Sequence, residues 1–495
     1  MPAPQRMGMR RYITLTGDDM PIKFGTDGWR AVISEEFTFD NVRRVAQAIA
    51  HFFQETTNGH PPVAVVGFDT RFLSDRYGIE VARVLAGNGV TVHLTHSDAP
   101  TPAVSYAVQH LRADGGVMIT ASHNAPRYNG IKLKAAYGGS ASTEQCRRVE
   151  TFTETMHELN MMDYEAAQAH GLIDRFDPMP AYLAHLGTLA DAALAAARPG
   201  RVIIDAMHGA GRNYIARWLE GSGWQATEIR GEMNPGFSGI HPEPIRKNLD
   251  ATVEAVRRSS GPSAQGRAFA VVTDGDADRI GAVDETGEFI DPHRIFALAL
   301  RYLVEKRGWR GSVVKTVSTT LMLDRICRKY GLALHETPVG FNYIADRMMS
   351  EDVLIGGEES GGISIKGHIP EGDGILFGAL LIEMVAWYGA PLHDLVADLQ
   401  ATFGPAHYAR RDLRQKRPVA KKEMVAKLAA DAPASIAGVA VREVSTLDGA
   451  KYLLADDSWL LIRPSGTEPV LRVYAESSDP SMVEALLAYG ENVAG

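Results

Sequence analysis

A chain of 495 residues is too long for one ordinary core, because domains usually hold about 100–150 residues, and it therefore predicts three or four domains. Its 45% hydrophobic and 22% charged residues are typical of a soluble globular protein. The formal net charge of −9, with no long basic run, argues against a nucleic-acid-binding surface, which needs clustered Lys and Arg.

Cysteine usage and the apolar stretches favour a cytoplasmic location. Cys146 and Cys327 lie far apart, without metal-ligand spacing, so we expect reduced thiols. The first 20 residues contain no apolar segment of the kind that a secretory signal needs. The longest apolar stretch, 375–389, is interrupted by Glu383 and is shorter than the ~20 residues that span a bilayer. We expect no membrane partner.

Short runs rich in Val and Ile alternate along the chain with longer amphipathic segments. The short runs predict buried strands at 63–67, 116–120, 202–205, 269–273 and 312–316. Helical spacing of apolar residues predicts helices between them, at 41–53, 75–87 and 293–307. This alternation predicts parallel or mixed α/β layers, whose ligands gather at the carboxyl ends of the strands.

The first polar loop that follows a predicted strand is residues 120–124, TASHN. Here Ser122 stands beside an imidazole, with Lys132 ten residues further on, which is a plausible setting for an activated nucleophile. We expect Asn124, Asn129 and Gly130 to form a tight turn that folds the lysine back toward the serine. An ordinary polar loop after a strand is the alternative.

The second loop places Asp274, Asp276 and Asp278 directly after a predicted strand. Carboxylates at alternate positions can converge on one hard divalent cation, and oxygen-only ligands favour Mg²⁺. An EF-hand does not fit, because Arg279 occupies the sixth position, where that loop requires glycine. A solvated surface turn is the alternative, although three carboxylates in five residues repel one another unless a cation is near.

Two further loops offer hydrogen-bonding groups around glycines. In GGEESGG (356–362), Glu358 and Ser360 suit the hydroxyl groups of a sugar better than a phosphate, although a flexible hairpin-like loop is the alternative. In RPSGTEP (463–469), an arginine, two hydroxyls and the backbone N–H groups around a glycine predict a phosphate cradle; a charged surface turn is the alternative.

Taken together and in this order, the four loops closely resemble those of the phosphohexomutase superfamily, the phosphoglucomutase and phosphomannomutase enzymes. TASHNAPRYNGIK is similar to the family's phosphoserine loop and DGDADR to its metal loop. GEESGG resembles its sugar-discriminating loop and RPSGTEP its phosphate loop. FGTDGWR (24–30) resembles the family's opening motif, and TPVGFNYI (337–344) a further substrate loop. The resemblance runs from about residue 22 to 476.

The resemblance implies an α/β fold with four domains in a heart-shaped arrangement around a central cleft. Three related α/β domains with mixed sheets would precede a smaller C-terminal α+β domain. We expect the domains at 1–178, 179–288, 289–404 and 405–495, which would carry the phosphoserine, metal, sugar and phosphate loops in that order.

The same resemblance implies an isomerase that interconverts glucose 1-phosphate and glucose 6-phosphate through phosphoserine Ser122. Glucose 1,6-bisphosphate would be the intermediate and activator, and Mg²⁺ the metal. The implied catalytic residues are Ser122, His123, Lys132, Arg30 and Arg279, with either the histidine or the lysine as the base. The implied metal ligands are Ser122, Asp274, Asp276 and Asp278. The implied substrate-binding residues are Thr337, Gly340, Glu358, Ser360, Arg463, Ser465, Gly466 and Thr467.

The chain departs from the family pattern at three places. Ala125 stands where proline is common, and Asn342 replaces a lysine. Some phosphomannomutase-type members carry a histidine after GEESG, and this chain has none there. GEESGG therefore favours glucose phosphate as the substrate, with mannose or glucosamine phosphate as alternatives. More remote alternatives are a sugar phosphatase with Asp274 as nucleophile and a binding protein without turnover. We expect a hexose phosphate as partner and a monomer or homodimer.

Overall fold

The computed structural model describes residues 13–14, 22–25, 28–57, 59–156, 158–259, 268–415, 420–464 and 470–494. The chain divides into two compact units. The first unit comprises Met1–Asp291 and Gly361–Pro391, and the second comprises Pro292–Ser360 and Leu392–Gly495. The four domain boundaries expected from the sequence are finer than this division and stay predictions.

The first unit begins with a mixed sheet flanked by helices. Its elements, in chain order, are β1 (Ile13–Thr14), β2 (Gly28–Val32), α1 (Phe39–Thr56), β3 (Val63–Phe68), α2 (Ser74–Gly87), β4 (Thr91–Thr95), α3 (Thr101–His110), β5 (Gly115–Ile119), β6 (Tyr128–Ala135), β7 (Gly139–Ser140), α4 (Thr143–Thr155), β8 (Glu158–Leu159), α5 (Tyr164–Ala169) and β9 (Ile173–Phe176). The strand order is β2-β6-β5-β3-β4-β9, with β3, β4, β5 and β9 parallel and β6 antiparallel to β5. β5 is buried throughout because it is a central strand, covered on both faces, which explains its continuous apolar run.

The first unit continues with a second mixed sheet. Its elements are α6 (Met179–Leu189), α7 (Ala192–Ala196), β10 (Arg201–Asp205), α8 (Tyr214–Trp218), β11 (Gln225–Ile229), the 3₁₀ turns Phe237–Gly239 and Arg246–Asn248, α9 (Asp250–Ser259), β12 (Phe269–Thr273), β13 (Ile280–Val283) and β14 (Phe289–Ile290). β10 pairs in parallel with β11 and β12, and β13 returns antiparallel to β12. The strands predicted from the Val- and Ile-rich runs are confirmed to within one residue at each end.

The remaining elements complete both units. In chain order they are α10 (Pro292–Glu305), β15 (Ser312–Thr316), α11 (Met322–Tyr330), β16 (Leu334–Thr337), α12 (Phe341–Ser350), β17 (Val353–Gly357), β18 (Ile363–Ile365), α13 (Gly374–Tyr388), α14 (Leu392–Phe403), β19 (His407–Arg414), α15 (Lys421–Ala430), β20 (Ser435–Ile436), β21 (Val439–Ser445), β22 (Ala450–Leu454), β23 (Trp459–Pro464), β24 (Val470–Ser477) and α16 (Pro480–Ala494). β18 and α13 belong to the first unit and the others to the second.

The second unit holds a parallel and an antiparallel sheet. β15 lies between β16 and β17 and is parallel to both. The antiparallel sheet has the order β19-β24-β23-β22-β21-β20, as expected for a separate C-terminal α+β region. Val317, Trp459 and Tyr474 share one buried apolar cluster, so the loop after β15 packs onto this second sheet.

The apolar stretch noted in the sequence forms α13, a helix of the first unit that is buried on nearly all of its sides. Its Glu383 is buried and accepts a hydrogen bond from the backbone N–H of Asp191 at 2.8 Å. Among the described residues, no single helix is long and apolar enough to cross a membrane, and α13 and α14 pass such a test only as a pair.

Candidate active site

Ser122 lies in the turn that joins β5 to β6. Its backbone has the left-handed φ of 51°, which is uncommon for a residue with a side chain, and its N–H donates to Thr120 Oγ1 at 2.8 Å. The hydroxyl donates to Asp274 Oδ2 at 2.9 Å and lies 3.3 Å from Nδ1 of His123. The serine is 1% exposed, so a buried hydroxyl is held against a carboxylate and an imidazole.

The expected turn at Asn124 and Asn129 is only half right. Asn124 lies in the turn, but Asn129 lies inside β6, where its amide donates to Ser74 Oγ at 2.9 Å. Lys132 nevertheless returns to the serine, because β6 runs antiparallel to β5 and pairs Lys132 with Met118. Strand pairing, rather than a tight turn around Asn129, therefore positions the lysine.

Arg71, which sequence reasoning missed, holds the backbone of the serine loop. Its guanidinium donates to four carbonyl oxygens, those of Ser122 (2.5 Å), Asn124 (2.7 Å), Ala125 (2.9 Å) and Tyr128 (3.0 Å). It also pairs with Asp69 at 3.1 Å. The available signal was the polar run Asp69-Thr70-Arg71 after β3, which ends at the same sheet edge as β5.

The three aspartates of the second loop converge. Each of Asp274, Asp276 and Asp278 offers a carboxylate oxygen that lies within 4.8 Å of the others. The ammonium of Lys132 donates to Asp276 Oδ2 at 2.9 Å and to Asp278 Oδ2 at 2.8 Å. Thr101 also donates to the Asp276 carboxylate, at 2.7 Å. The metal and serine loops of the sequence thus form one cluster in the first unit.

Charge and burial set the proton affinities of this cluster. Burial and the neighbouring charges of Asp278 and Asp276 hold the pKa of Asp274 well above its usual value. For Asp276 burial also opposes ionisation, but the Lys132 ammonium and the Thr101 hydroxyl outweigh it and lower the pKa. Bringing Asp274 to its charged form therefore requires more positive charge.

The donor set fits a hard divalent cation. Within the described ranges, Oδ1 of Asp276 and Oδ1 of Asp278 are buried and have no hydrogen-bond partner. Orphaned carboxylate oxygens are costly, and an oxygen-preferring cation such as Mg²⁺ would satisfy them. Gly275 permits the close approach of the two loops, because a Cβ there would stand 2.6 Å from the carbonyl oxygen of Ser122.

The other predicted catalytic residues surround the serine. Burial and the charges of Arg279 and Arg30 hold the pKa of His123 well below its usual value, so this imidazole is neutral. Arg30 Nη1 lies 3.5 Å from Asn124 Oδ1. Arg279 donates its backbone N–H to Asp274 Oδ1 at 3.2 Å, and its Nε lies 3.8 Å from Asp278. All five predicted catalytic residues therefore lie at this one cluster.

The second unit brings together two of the predicted substrate loops. Glu358 Oε1 accepts the backbone N–H of Gly340 at 2.8 Å, and Ser360 Oγ lies 3.4 Å from Glu358 Oε2. Thr337 ends β16 and donates to the carbonyl of Pro338 at 3.1 Å. A carboxylate and two hydroxyls therefore gather at the carboxyl ends of β16 and β17.

Glu359, also missed from the sequence, anchors the same loop. It accepts a hydrogen bond from Thr316 at 3.1 Å. Burial raises its pKa, but the hydrogen bond from Ser318 and the charges of Arg410 and His293 outweigh this and lower the pKa overall. The residue is thus a half-buried anion that ties the end of β17 to the end of β15. Both acidic residues belong to the GGEESGG loop, and the sequence predicted a substrate-binding role only for Glu358.

Arg463 is held by an acidic residue that the sequence did not single out. Asp448 accepts from Arg463 Nε at 2.7 Å and from the backbone N–H of Val339 at 3.0 Å, and it pairs with Lys421. Asp448 thereby links the predicted phosphate-binding arginine to the loop that contains Thr337 and Gly340. The predicted residues Ser465, Gly466 and Thr467 lie outside the described residues.

Comparison with known proteins covers nearly the whole chain. Models of the three alpha/beta/alpha domains I, II and III and of the C-terminal domain of phosphoglucomutase/phosphomannomutase match residues 21–160, 180–287, 291–403 and 414–489.

Individual relatives give the same picture with different sugars in their names. A phosphoglucomutase/phosphomannomutase of Thermococcus kodakarensis is 31% identical over 471 residues, covering 94% of this chain and 97% of that protein. A phosphoglucosamine mutase of Mesorhizobium japonicum is 32% identical, covering 94% of this chain and 96% of that protein. A crystal structure of a provisionally named phosphomannomutase from Thermus thermophilus is 36% identical with a TM-score of 0.83, covering 96% of this chain and 99% of that chain.

Proposed function

Because the chain belongs to the phosphoglucomutase/phosphomannomutase family, whose members are isomerases that transfer a phosphoryl group within one sugar, we propose that it moves phosphate between O1 and O6 of a hexose through Ser122. The observation that carries this proposal is the buried Ser122 hydroxyl, 2.9 Å from Asp274 and inside a cluster of three carboxylates and Lys132. Such a cluster suits a phosphoryl group held by metal and ammonium charge.

The metal site follows from the same cluster. Asp274, Asp276, Asp278 and the Ser122 oxygen would hold Mg²⁺, which when bound would neutralise negative charge on the transferring phosphoryl oxygens. Lys132 adds a second positive charge at the same place, since its ammonium already bridges two of these carboxylates. The chain thus supplies both a ligand set and a fixed cation for an anionic reacting group.

We assign His123 as the base that accepts the proton of the Ser122 hydroxyl. When Ser122 takes the phosphoryl group back from the bisphosphate, its hydroxyl must lose a proton, and Nδ1 of His123 lies 3.3 Å from that oxygen. Lys132 is a poor acceptor because its ammonium donates to two carboxylates. We therefore assign charge neutralisation to Lys132.

Sugar and phosphate recognition are assigned to the second unit. Glu358 and Ser360 would bind sugar hydroxyls, at the loop ends where Thr337 and Gly340 also lie. Arg463 would bind the phosphate that does not react, and Asp448 holds it in place. A hexose 1,6-bisphosphate intermediate would have to turn end for end, so these groups would have to accept the molecule in both orientations.

For the identity of the hexose, the comparisons favour the alternatives over the glucose phosphate expected from GEESGG. Relatives that match nearly the whole chain carry the names phosphoglucosamine mutase and phosphomannomutase as well as phosphoglucomutase. Glucosamine or mannose phosphate is therefore our proposed preferred substrate, with glucose phosphate a secondary one.

The test is an assay of the purified protein with Mg²⁺ and a trace of hexose 1,6-bisphosphate on the 1-phosphates of glucose, mannose and glucosamine. Formation of the 6-phosphates, lost in Ser122→Ala and kept in the control Ser97→Ala, would support the mutase. Ser97 is an exposed serine of the same unit. The ranking of kcat/KM identifies the sugar, and glucose ranking first would overturn the substrate proposal. Release of free phosphate without isomerisation would instead indicate a phosphatase.

A further inference from the structure

A second serine of the first unit stands in a nucleophilic setting that the mutase reaction does not use. The Oγ of Ser238 lies 2.8 Å from Nε2 of His208, and Nδ1 of the same ring lies 3.3 Å from the carboxylate of Glu232. Ser238 is exposed, whereas His208 is 2% exposed. The three side chains follow the order nucleophile, imidazole, carboxylate that activates serine in unrelated hydrolases.

The surroundings of His208 fix which nitrogen carries its proton. Nδ1 faces two acceptors, the carbonyl oxygen of Glu232 at 3.3 Å and its carboxylate at 3.3 Å, so we assign the ring proton to this nitrogen. Nε2 is then the acceptor, and the Ser238 hydroxyl donates to it. The serine proton thus already points at a base, as general-base catalysis requires.

Asn234 places an N–H donor beside the same oxygen. Its Oδ1 accepts the backbone N–H of Gly236 at 3.0 Å, which orients Nδ2 toward Ser238 Oγ at 3.3 Å. A side-chain amide beside a nucleophile can stabilise the oxyanion that forms when the nucleophile adds to a carbonyl. The cluster therefore places a hydroxyl, an imidazole, a carboxylate and an amide N–H donor within reach of one another.

Neighbouring contacts hold this cluster in place. The carbonyl of His208 accepts the Thr70 hydroxyl at 2.8 Å, and the ring of Phe237 lies 5.0 Å from the Arg71 guanidinium carbon. His208 and Ser238 both have left-handed backbone conformations, with φ of 59° and 54°. Such conformations are rare outside glycine and persist where the surroundings enforce them.

From this geometry we propose that Ser238 accepts an acyl group from small activated esters and passes it to water. Ser238 Oγ adds to the carbonyl carbon while its proton moves to His208 Nε2, and Asn234 donates to the oxyanion. Expulsion of the alcohol takes that proton and leaves an acyl-serine. Water then adds by the same route, which releases the carboxylic acid and restores the hydroxyl. The net reaction is ester plus water to acid plus alcohol, and it needs no metal or redox partner.

The test uses the full chain with p-nitrophenyl acetate and, separately, a fluorophosphonate label whose site is mapped by peptide mass spectrometry. The matched variants are Ser238→Gly, which suits the left-handed backbone, His208→Gln and the control Ser97→Ala, whose Oγ contacts only a neighbouring carbonyl in the described residues. We expect label on Ser238, with rates reduced about 10²-fold or more in the first two variants and unchanged in the control.

Two further measurements keep the result decisive. If His208→Gln does not fold, Glu232→Gln replaces it, because Glu232 is 70% exposed, and we expect an about tenfold slower label. Hexose phosphate isomerisation is measured in parallel and should be unchanged in Ser238→Gly, so failure of either function is distinguishable. No label on Ser238 in the unmodified protein, or equal labelling after the change at His208 or Glu232, would overturn the proposal and leave the cluster as a loop clamp.

Discussion

Replacing Arg71 by lysine should loosen the serine loop while keeping the positive charge. The guanidinium donates hydrogen bonds to four carbonyl oxygens and forms an ion pair with the Asp69 carboxylate, whereas an ammonium has three donors. At least one charge-assisted hydrogen bond is therefore lost, which contributes about 1.5–3 kcal/mol, because Arg71 is 3% exposed and water cannot replace the lost donor.

Both stability and catalysis report this loss. Denaturant unfolding should show the lower free energy of unfolding, and kcat/KM for hexose phosphate isomerisation should fall about 10²-fold, because displacing a reacting group by about 1 Å has that effect. Arg76→Lys is the matched control, since Arg76 lies in the same unit and its side chain is 67% exposed. If Arg71→Lys behaved like this control in both measurements, the proposed role of Arg71 in holding Ser122 would be wrong.

Three more predictions concern other groups of the first unit. Lys132→Met should reduce kcat/KM about 10²–10³-fold, because it removes the ammonium between Asp276 and Asp278. Steady-state assays with Lys23→Met as the control would check this, and an unchanged kcat/KM would refute it. Asp278→Asn should weaken Mn²⁺ binding about 10-fold or more, measured by paramagnetic resonance titration; equal affinity would exclude Asp278 as a ligand. Burial lowers the pKa of His185 to about 4. The stability that its neutral form contributes is therefore complete above pH 6.5 and is lost as the pH falls from 6.5 toward 4. His185→Gln should flatten this part of the curve of unfolding free energy against pH, and an unchanged slope would contradict the prediction.

Most of the strand framework could be predicted from the sequence, because buried parallel strands leave continuous Val and Ile runs. β12 and β15 were predicted at their observed bounds, and the polar residues after β5 and β12 meet at one cluster, as their positions at strand ends implied. The sequence therefore predicted that Ser122 and the three aspartates would lie together, and their catalytic and metal-binding roles stay predictions.

What the sequence could not provide was the long-range contacts. Arg71 donates to residues that lie 51 to 57 positions further along the chain. The sequence around Arg71 does not indicate that its guanidinium binds four carbonyl oxygens. Asn129 looked like a turn residue because asparagine favours turns, yet strand pairing with β2 and β5 prevailed. Asp448 and Glu359 were also missed because their partners lie in other elements, far away in the sequence.

Several expectations stay predictions. They are the four domain boundaries, the cytoplasmic location and the monomeric or homodimeric state. Sedimentation of the purified protein would decide the last of these, and limited proteolysis with mapping of the cut sites would examine the boundaries.

A single-turnover transfer experiment tests whether Ser122 carries the phosphoryl group. The dephosphorylated protein is mixed with Mg²⁺ and hexose 1,6-bisphosphate labelled in its phosphates, quenched within a single turnover, and digested for peptide mapping. We expect label on the peptide that contains Ser122, formed as fast as the hexose monophosphate appears, and no label in Ser122→Ala. Label on another residue, or isomerisation by Ser122→Ala at the rate of the unmodified protein, would contradict it.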